Sequence, residues 1–437
     1  MARVLIDGYN LGLEKGTGVA TYARNLSHEL AALGHEVDVL YGKRASAARD
    51  PLLREIHFFD PEEEEERNKL LAGLGLCLGA VHGPLTFRAE QIPVSGRVIT
   101  RSFDSRLPHF DRLYNAHDLY RRAHAAFALW RRVSPIRLPD LPDLAHWTYP
   151  IPLQVKGRTN IYTLHDLVPL RLPYTTLDHK RRYLELLQQL DRKAAHFVTV
   201  SENSKRDLVD LVGIAPERIS NTYQAVTIPA KLRDKPEDQV AREVEGLTGV
   251  DYKGYFLFWG SLEPKKNIGR MIEAYLSAQV DTPLVIIGAQ AWKADQELKL
   301  LGETATLYGS FERRRGARRR VIQLPYAPFP LLVSLIRGAK VALFPSLYEG
   351  FCLPVLEAML LGTPVIASNT SSLPEVAGDA ARLVDPYEAQ AITEAIRSFD
   401  ADEALRADYA ERGRKQADLY SPERYRERLK HVYDRHL

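Results

Sequence analysis

The stretch Ser346-Leu347-Tyr348-Glu349-Gly350-Phe351-Cys352-Leu353-Pro354-Val355-Leu356-Glu357-Ala358-Met359 follows, after Pro345, the apolar run Val341–Phe344. It reads as a strand, a loop and the start of a helix. Pro354 suits a first helical turn, where a missing amide donor costs nothing. The amides of Gly350, Phe351, Cys352 and Leu353 are then expected at a helix N-terminus, where unsatisfied N–H groups and the helix dipole favour an anion such as a diphosphate. Glu349 precedes that helix and Glu357 falls about one turn inside it. Carboxylates so placed accept paired hydrogen bonds from vicinal hydroxyls, Glu357 from a ribose and Glu349 from a sugar ring. Taken alone, they read equally well as ordinary acidic charge in a first turn.

Outward from this stretch the same rhythm repeats. Short aliphatic runs at Leu284–Ile287, Val321–Leu324 and Val365–Ala367 alternate with helical patterns, and so do Val4–Asp7, Val19–Leu33 and Glu36–Leu40 near the start. Parallel strands need crossover helices, so the pattern predicts doubly wound α/β sheets with ligands at the C-terminal strand ends. Strands are also expected at Asn160–Leu164, before His165-Asp166, and at Phe197–Val200, before the cap-like Ser201. The polar stretch between Ile228 and Lys253, with Pro229 and Pro236, reads as a linker. Two domains follow, 1–232 and 250–419, which suits 437 residues at roughly 100 to 200 per domain. The middle of the first half, with its acidic run Glu62–Glu66, carries no clear period and is assigned to loops and helices.

Composition narrows the function. With 59 basic and 56 acidic side chains the net charge of +3 is too balanced for nucleic-acid binding by the chain as a whole, so any anion site is local. Cys77 and Cys352 are the two cysteines, which excludes a disulfide framework or a zinc cluster and fits a reducing, cytoplasmic compartment. Asp7 interrupts the N-terminal apolar run too early for a signal peptide, and Leu70–Val81 falls short of the ~20 residues that span a bilayer.

Three further motifs carry chemistry. Trp259-Gly260-Ser261-Leu262-Glu263-Pro264-Lys265-Lys266-Asn267 is a strand ending in a turn with two lysines, suited to a leaving diphosphate, though paired lysines after a turn are more often solvated. Lys15-Gly16-Thr17-Gly18 opens a helix after the first strand, and its glycines permit close approach of a phosphate or sugar. It lacks the third glycine of a dinucleotide site. His165 stands at a strand end, where an imidazole hydrogen-bonds a substrate hydroxyl, although a lone histidine is more often structural. Asp400-Ala401-Asp402 matches a metal-binding pattern in letters only and reads as a solvated turn; no metal is expected.

Glu349 to Glu357, with Phe344-Pro345-Ser346 before it and Gly362-Thr363-Pro364-Val365-Ile366-Ala367-Ser368 after it, resembles the signature of glycosyltransferase family 4. Leu373-Pro374-Glu375-Val376-Ala377-Gly378-Asp379 and Asp385-Pro386 extend the likeness. The glycine loop, Thr163-Leu164-His165-Asp166 and Val200-Ser201-Glu202-Asn203-Ser204 add the first half in the family's order. The resemblance implies a GT-B fold, two Rossmann-like domains facing across a cleft, and transfer of a sugar from a nucleotide-diphosphate donor with retained configuration and no metal or other cofactor. It implies that Glu349 and His165 contact the donor sugar, His165 near its C6 hydroxyl, Glu357 the ribose, and Lys266, with Lys265 a weaker candidate, the diphosphate. Gly16 and Gly18 would approach the diphosphate from the other domain, and Ser261, Gly350, Phe351, Cys352 and Leu353 would complete the donor site. It further implies that residues 420–437 form a helix packing back on the first domain. Retention is expected by a front-face route in which the donor phosphate takes the acceptor proton, so Glu349 is not a nucleophile.

Three departures stand out. Ser261 replaces an arginine of many relatives, Cys352 stands where glycine is commonest, which a negative φ tolerates, and Gln224-Ala225-Val226 replaces Asn-Gly-Val. The expected acceptor is a glycan or lipid-linked oligosaccharide, with GDP-mannose as the first donor. The six arginines of Arg313–Arg320, and His117–Val133 with Leu119, Ala123, Phe127 and Trp130 at helical spacing, offer contact with an anionic membrane surface. The alternatives are a nucleotide-sugar epimerase on the same fold and an arginine-rich membrane or glycan-binding module without catalysis.

Overall fold

The structure is a computed structural model that describes residues 1–12, 18–45, 50–60, 86–98, 107–289, 305–307 and 321–437. Its first half is built on β1 (Arg3–Asp7), β2 (Glu36–Tyr41), β3 (Phe87–Arg88), β4 (Glu90–Ile92), β5 (Arg112–Asn115), β6 (Ser134–Arg137), β7 (Leu144–Trp147), β8 (Leu153–Val155), β9 (Thr159–Leu164), β10 (His196–Thr199) and β11 (Ile219–Asn221). Eight of these form a sheet in the order β11-β10-β9-β7-β1-β2-β5-β4, parallel except for the antiparallel pairing of β4 with β5. The second half holds β12 (Phe256–Trp259), β13 (Leu284–Ile287), β14 (Ala305–Leu307), β15 (Val321–Leu324), β16 (Val341–Phe344), β17 (Val365–Ser368) and β18 (Ala381–Val384). They form one parallel sheet in the order β14-β15-β13-β12-β16-β17-β18.

Both sheets are covered on both faces, which is why strands such as Phe256–Trp259 and Val341–Phe344 are buried at every residue rather than at alternate ones. In each sheet the chain winds one way from the founding strand and then returns to wind the other. The reversal falls between β1 and β7 in the first and between β12 and β16 in the second. A crevice opens at such a reversal, because the flanking connections leave on opposite faces.

The C-terminal helix Pro422–His436 buries Tyr425, Leu429, Val432 and Tyr433, at helical spacing. It lies against the first sheet's layer, where Tyr433 hydrogen-bonds His146 of β7 and Arg426 pairs with Glu29 of the helix Gly18–Ala32 at 2.7 Å. Each such buried side chain contributes about 1.5–3 kcal/mol, enough to hold the crossover without further restraint.

Three expectations change. The linker stretch contains the helices Ala230–Arg233 and Glu237–Thr248, which start after Pro229 and Pro236 as their caps. The second packs on the helix Phe329–Gly338 so closely that a Cβ on Gly338 would lie 2.8 Å from Val244. The helix Leu119–Trp130 buries Leu119, Ala123 and Phe127 in the first core, so that stripe is not available to lipid, while Trp130 remains partly exposed. Asp400-Ala401-Asp402 is not a solvated turn: Asp400 pairs with Lys340 at 2.6 Å, and Asp402 caps the helix Glu403–Ala417. The arginine run Arg313–Arg320 lies outside the described residues, as do Cys77 and Glu62–Glu66. No helix among the described residues is long and apolar enough to cross a membrane.

Candidate functional site

The reversal in the second sheet sets the loop after β12 beside the loop after β16. The Leu347 amide donates to the Lys265 carbonyl at 2.8 Å, joining the two. Asn267, buried and left-handed at φ 60°, closes the turn Pro264–Lys266, and its side-chain amide donates to the carbonyls of Pro345 at 3.0 Å and Pro386 at 2.7 Å. Gly288 keeps the end of β12 clear, since a Cβ there would lie 1.9 Å from the Gly260 carbonyl.

This scaffold brings Lys266 and Glu349 together. Lys266 Nζ donates to Glu349 Oε1 at 2.6 Å, and the two side chains are 12% and 6% exposed. Burial works against both charges, yet the lysines hold the Glu349 carboxyl below its usual range, while Glu349 raises Lys266. Lys265 is likewise raised against its burial, by Asp166 and then Glu263, with Asp166 at 3.8 Å across the cleft. Glu349 and both lysines are therefore ionised at neutral pH, and the pair is charged before any ligand arrives. The Glu349 backbone is clamped from β17: its amide donates to Ser371 Oγ at 2.9 Å, and its carbonyl accepts from Ser372 Oγ at 2.9 Å.

The helix Leu353–Leu360 begins directly behind this pair, with Pro354 in its first turn as expected. The amides of Gly350, Phe351, Cys352 and Leu353 have no acceptor among the described residues. Cys352 corrects an expectation. Its φ is +74°, the left-handed region that disfavours any side chain by about 1–2 kcal/mol, so the glycine-like conformation persists without glycine. Glu357 accepts from Trp259 Nε1 at 2.9 Å, and burial raises its carboxyl against that hydrogen bond. Ser261 is exposed beside this wall. Across the cleft, the helix Gly18–Ala32 presents its first residue, where a Cβ on Gly18 would sit 3.7 Å from Leu353. The first residues of two helices thus come within contact distance, and helix N-termini favour an anion.

The first sheet supplies the opposite wall. His165, at the end of β9, hydrogen-bonds the Thr148 carbonyl through Nε2 at 2.9 Å, which fixes the proton on Nε2 and leaves Nδ1 as an acceptor. Burial lowers its pKa, so the ring is neutral. Its edge meets the Tyr22 ring, with centroids 4.8 Å apart. Gly350 comes so near that a Cβ on it would lie 2.4 Å from the His165 carbonyl oxygen. Below, Asp7 is buried at the end of β1 and accepts from the amides of Thr148 and Tyr9; burial raises it to about 6. The halves are further joined by Glu375, which accepts from the amides of Glu202 at 2.7 Å and Asn203 at 3.2 Å, and by Tyr348, which hydrogen-bonds Asp207 and Asn203.

The structure therefore gathers Glu349, Lys266, Lys265, His165, Gly18, Gly350, Phe351, Cys352, Leu353, Glu357 and Ser261 along one cleft; Gly16 lies outside the described residues. Sequence reading missed the clamp Ser371–Ser372, the anchor Asn267 and the cross-cleft contacts of Glu375 and Tyr348. The position of Ser371 just beyond β17, the strand that pairs with β16, is the signal that could have found the clamp. Ala225, in the departing Gln224–Val226 segment, accepts from Asn25 at 2.9 Å and so steadies the helix Gly18–Ala32.

Residues 246–416 match the family model of glycosyl transferases group 1, and residues 87–227 that of glycosyltransferase family 4. The chain is similar to the O-antigen chain mannosyltransferase B of Escherichia coli, 33% identical over 60% of this chain and 66% of that protein. It is 28% identical to the serotype-specific mannosyltransferase WbdA of E. coli, over 59% of this chain and 31% of that one. The chain thus spans just under two thirds of the first relative's length and less than a third of the second's. Over 92% of its own length and 90% of the other's it is 25% identical to the MMP alpha-(1->4)-mannosyltransferase of Mycolicibacterium hassiacum. In fold it is similar to the sucrose-phosphate synthase of Thermosynechococcus elongatus, with a TM-score of 0.64 at 19% identity, covering 100% and 99% of the two chains. HepE of Anabaena, solved with UDP and glucose, gives 0.62 at 13% identity over 99% and 100%.

Proposed function

The chain belongs to glycosyltransferase family 4, with the GT-B fold, and on that premise we propose that it transfers a mannosyl residue from GDP-mannose to a glycan or lipid-linked oligosaccharide acceptor, with retained configuration and without a metal. The observation that carries the reading is the ionised Lys266–Glu349 pair at the reversal of the second sheet, beside unsatisfied helix amides. In this reading Lys266, seconded by Lys265, meets the diphosphate, and the amides of residues 350–353 with Gly18 opposite complete the anion cradle. Glu349 accepts from the hydroxyls of the donor sugar, Glu357 from the ribose, and neutral His165 from a further sugar hydroxyl through Nδ1. Mannose as the sugar is supported by the mannosyltransferases among the relatives.

The step balances without a protein base. The acceptor oxygen approaches C1 of the donor sugar on the face from which the diphosphate departs. The C1–O bond to phosphate breaks and its electron pair stays on the phosphate, which takes the acceptor proton as the new C1–O bond forms. Lys266 stabilises the charge that grows on the leaving group, where a fixed cation in a water-poor cleft is most effective. Glu349 at 5% exposure faces the positive charge that develops on the sugar ring.

The test is turnover of GDP-mannose with a mannosylated acceptor in the presence of a chelator, with the product's anomeric signal followed by NMR. An α-linked product formed at the same rate with the chelator supports the reading; an inverted product or loss of activity on chelation overturns it. Contact with an anionic membrane, resting on Arg313–Arg320, is checked by sedimentation with anionic vesicles at low salt.

A further inference from the structure

Away from both reversals, a cavity of about 280 Å³ opens in the first half of the chain, at the C-terminal ends of β2 and β5. Its wall carries Arg54, Arg88, Arg122 and His117 against one carboxylate, Glu90. None of the three guanidiniums is ion-paired among the described residues. Arg122 is held in place, donating to the His117 carbonyl at 3.3 Å with its guanidinium 5.4 Å from the centre of the Phe87 ring. Arg54 Nε is buried and has no hydrogen-bond partner. The neighbouring carboxylate does not serve it, since both oxygens of Glu55 are taken by Ser95, at 3.0 and 2.5 Å.

A buried N–H donor left without an acceptor costs about 1–3 kcal/mol, so this wall is short of acceptor oxygens. Guanidinium forks match the oxygens of phosphate in pairs, whereas a neutral sugar offers no charge to balance them. The cavity lies at the same end of the sheet as His165 and Asp7, since β2 and β5 run parallel to β1. It is displaced from β1 by about two strand spacings, roughly 10 Å.

We propose that this cavity binds a phosphate group of the acceptor, one or two sugar units from the hydroxyl that reacts. The inference rests on the transferase reading above. It assigns to this enzyme an anionic acceptor, whether the phosphate is an ester on a sugar or the diphosphate of a lipid-linked glycan. Arg54 and Arg122 grip the phosphate, Arg88 admits it at the rim, and specificity for charged over neutral acceptors follows.

The experiment uses the full chain with its nucleotide site filled by saturating GDP, and measures thermal stabilisation by inorganic phosphate, by mannose, by mannose 6-phosphate and by farnesyl diphosphate. Millimolar phosphate is expected to stabilise the wild type, and mannose is not. In Arg54→Ala and in Arg122→Ala the phosphate affinity falls at least tenfold while stabilisation by GDP is unchanged, which separates this inference from the donor site. Stronger stabilisation by mannose 6-phosphate identifies a sugar ester as the natural group, and by farnesyl diphosphate a lipid diphosphate. Equal phosphate affinity in wild type and both variants, or an equal response to mannose, overturns the proposal. If Arg54→Ala melts early without ligand, Arg88→Ala at the exposed rim carries the same test.

Discussion

At the crevice after β12 and β16, Lys266 and Glu349 stand ionised 2.6 Å apart, with helix amides unsatisfied behind them. At the matching crevice after β1 and β7, Asp7 is turned inward to the amides of Thr148 and Tyr9, and His165 spends its only N–H on the Thr148 carbonyl. Two sheets with the same reversal therefore carry opposite chemistry. The second sets an ion pair in front of unsatisfied helix amides, whereas in the first Asp7 and His165 direct their hydrogen bonds to the protein's own backbone. The same topology produces a site only where the loop residues leave something unsatisfied, which is why fold alone does not assign function.

The contrast can be broken at either crevice. Glu349→Gln keeps the shape but removes the charge that, in the proposed function, faces the donor sugar, and turnover should fall by about 10²–10³, as when a preorganised electrostatic partner is lost. Unchanged turnover would place the chemistry elsewhere. Gly350→Ala puts a Cβ 2.4 Å from the His165 carbonyl and so pushes the two walls apart. A rate loss of about 10², from the cost of misplacing reacting groups by an ångström, is expected with the nucleotide affinity nearly intact.

The two crevices also differ in the sign of their response to pH. Asp7 is raised from 3.8 to about 6, so the folded chain binds its proton more tightly than the unfolded one. Stability from this residue is therefore greatest below about pH 4 and declines as pH rises through 6, by roughly 3 kcal/mol in all. Glu349 is depressed, so its contribution is present above its unfolded pKa and is lost as pH falls. Denaturant unfolding from pH 4 to 6 should show a shallower loss of stability in Asp7→Asn than in the wild type; parallel curves would mean that Asp7 is not buried as described. Asp38, raised by burial on the neighbouring strand, moves the same way and leaves a residual slope.

The second sheet was largely legible in the sequence because its strands are uninterrupted aliphatic runs, each followed by a loop and a helix. The lysines and Glu349 were legible through the loop-to-helix junction and the family signature. The middle of the first half was not. β3 has two residues, and β6 carries Pro135, so neither shows a period on which a strand assignment could rest. The helix Glu237–Thr248 was hidden because Pro229 and Pro236 read as breakers, and because its buried Val240 and Val244 stand among charged neighbours. The ion pair between Lys266 and Glu349 lies 83 positions apart in sequence, and only the return of β16 beside β12 creates it.

The central claim is that the crevice of the second sheet holds a nucleoside diphosphate through Lys266. Calorimetric titration of GDP and UDP into wild type and Lys266→Ala tests it most directly, with unfolding curves of both proteins alongside, because removing Lys266 leaves Glu349 buried without its partner at a cost of about 3–5 kcal/mol. The account predicts that one nucleotide binds the wild type and loses at least a hundredfold in affinity in the folded variant. Equal affinity in the two proteins would contradict it and move the diphosphate away from this pair.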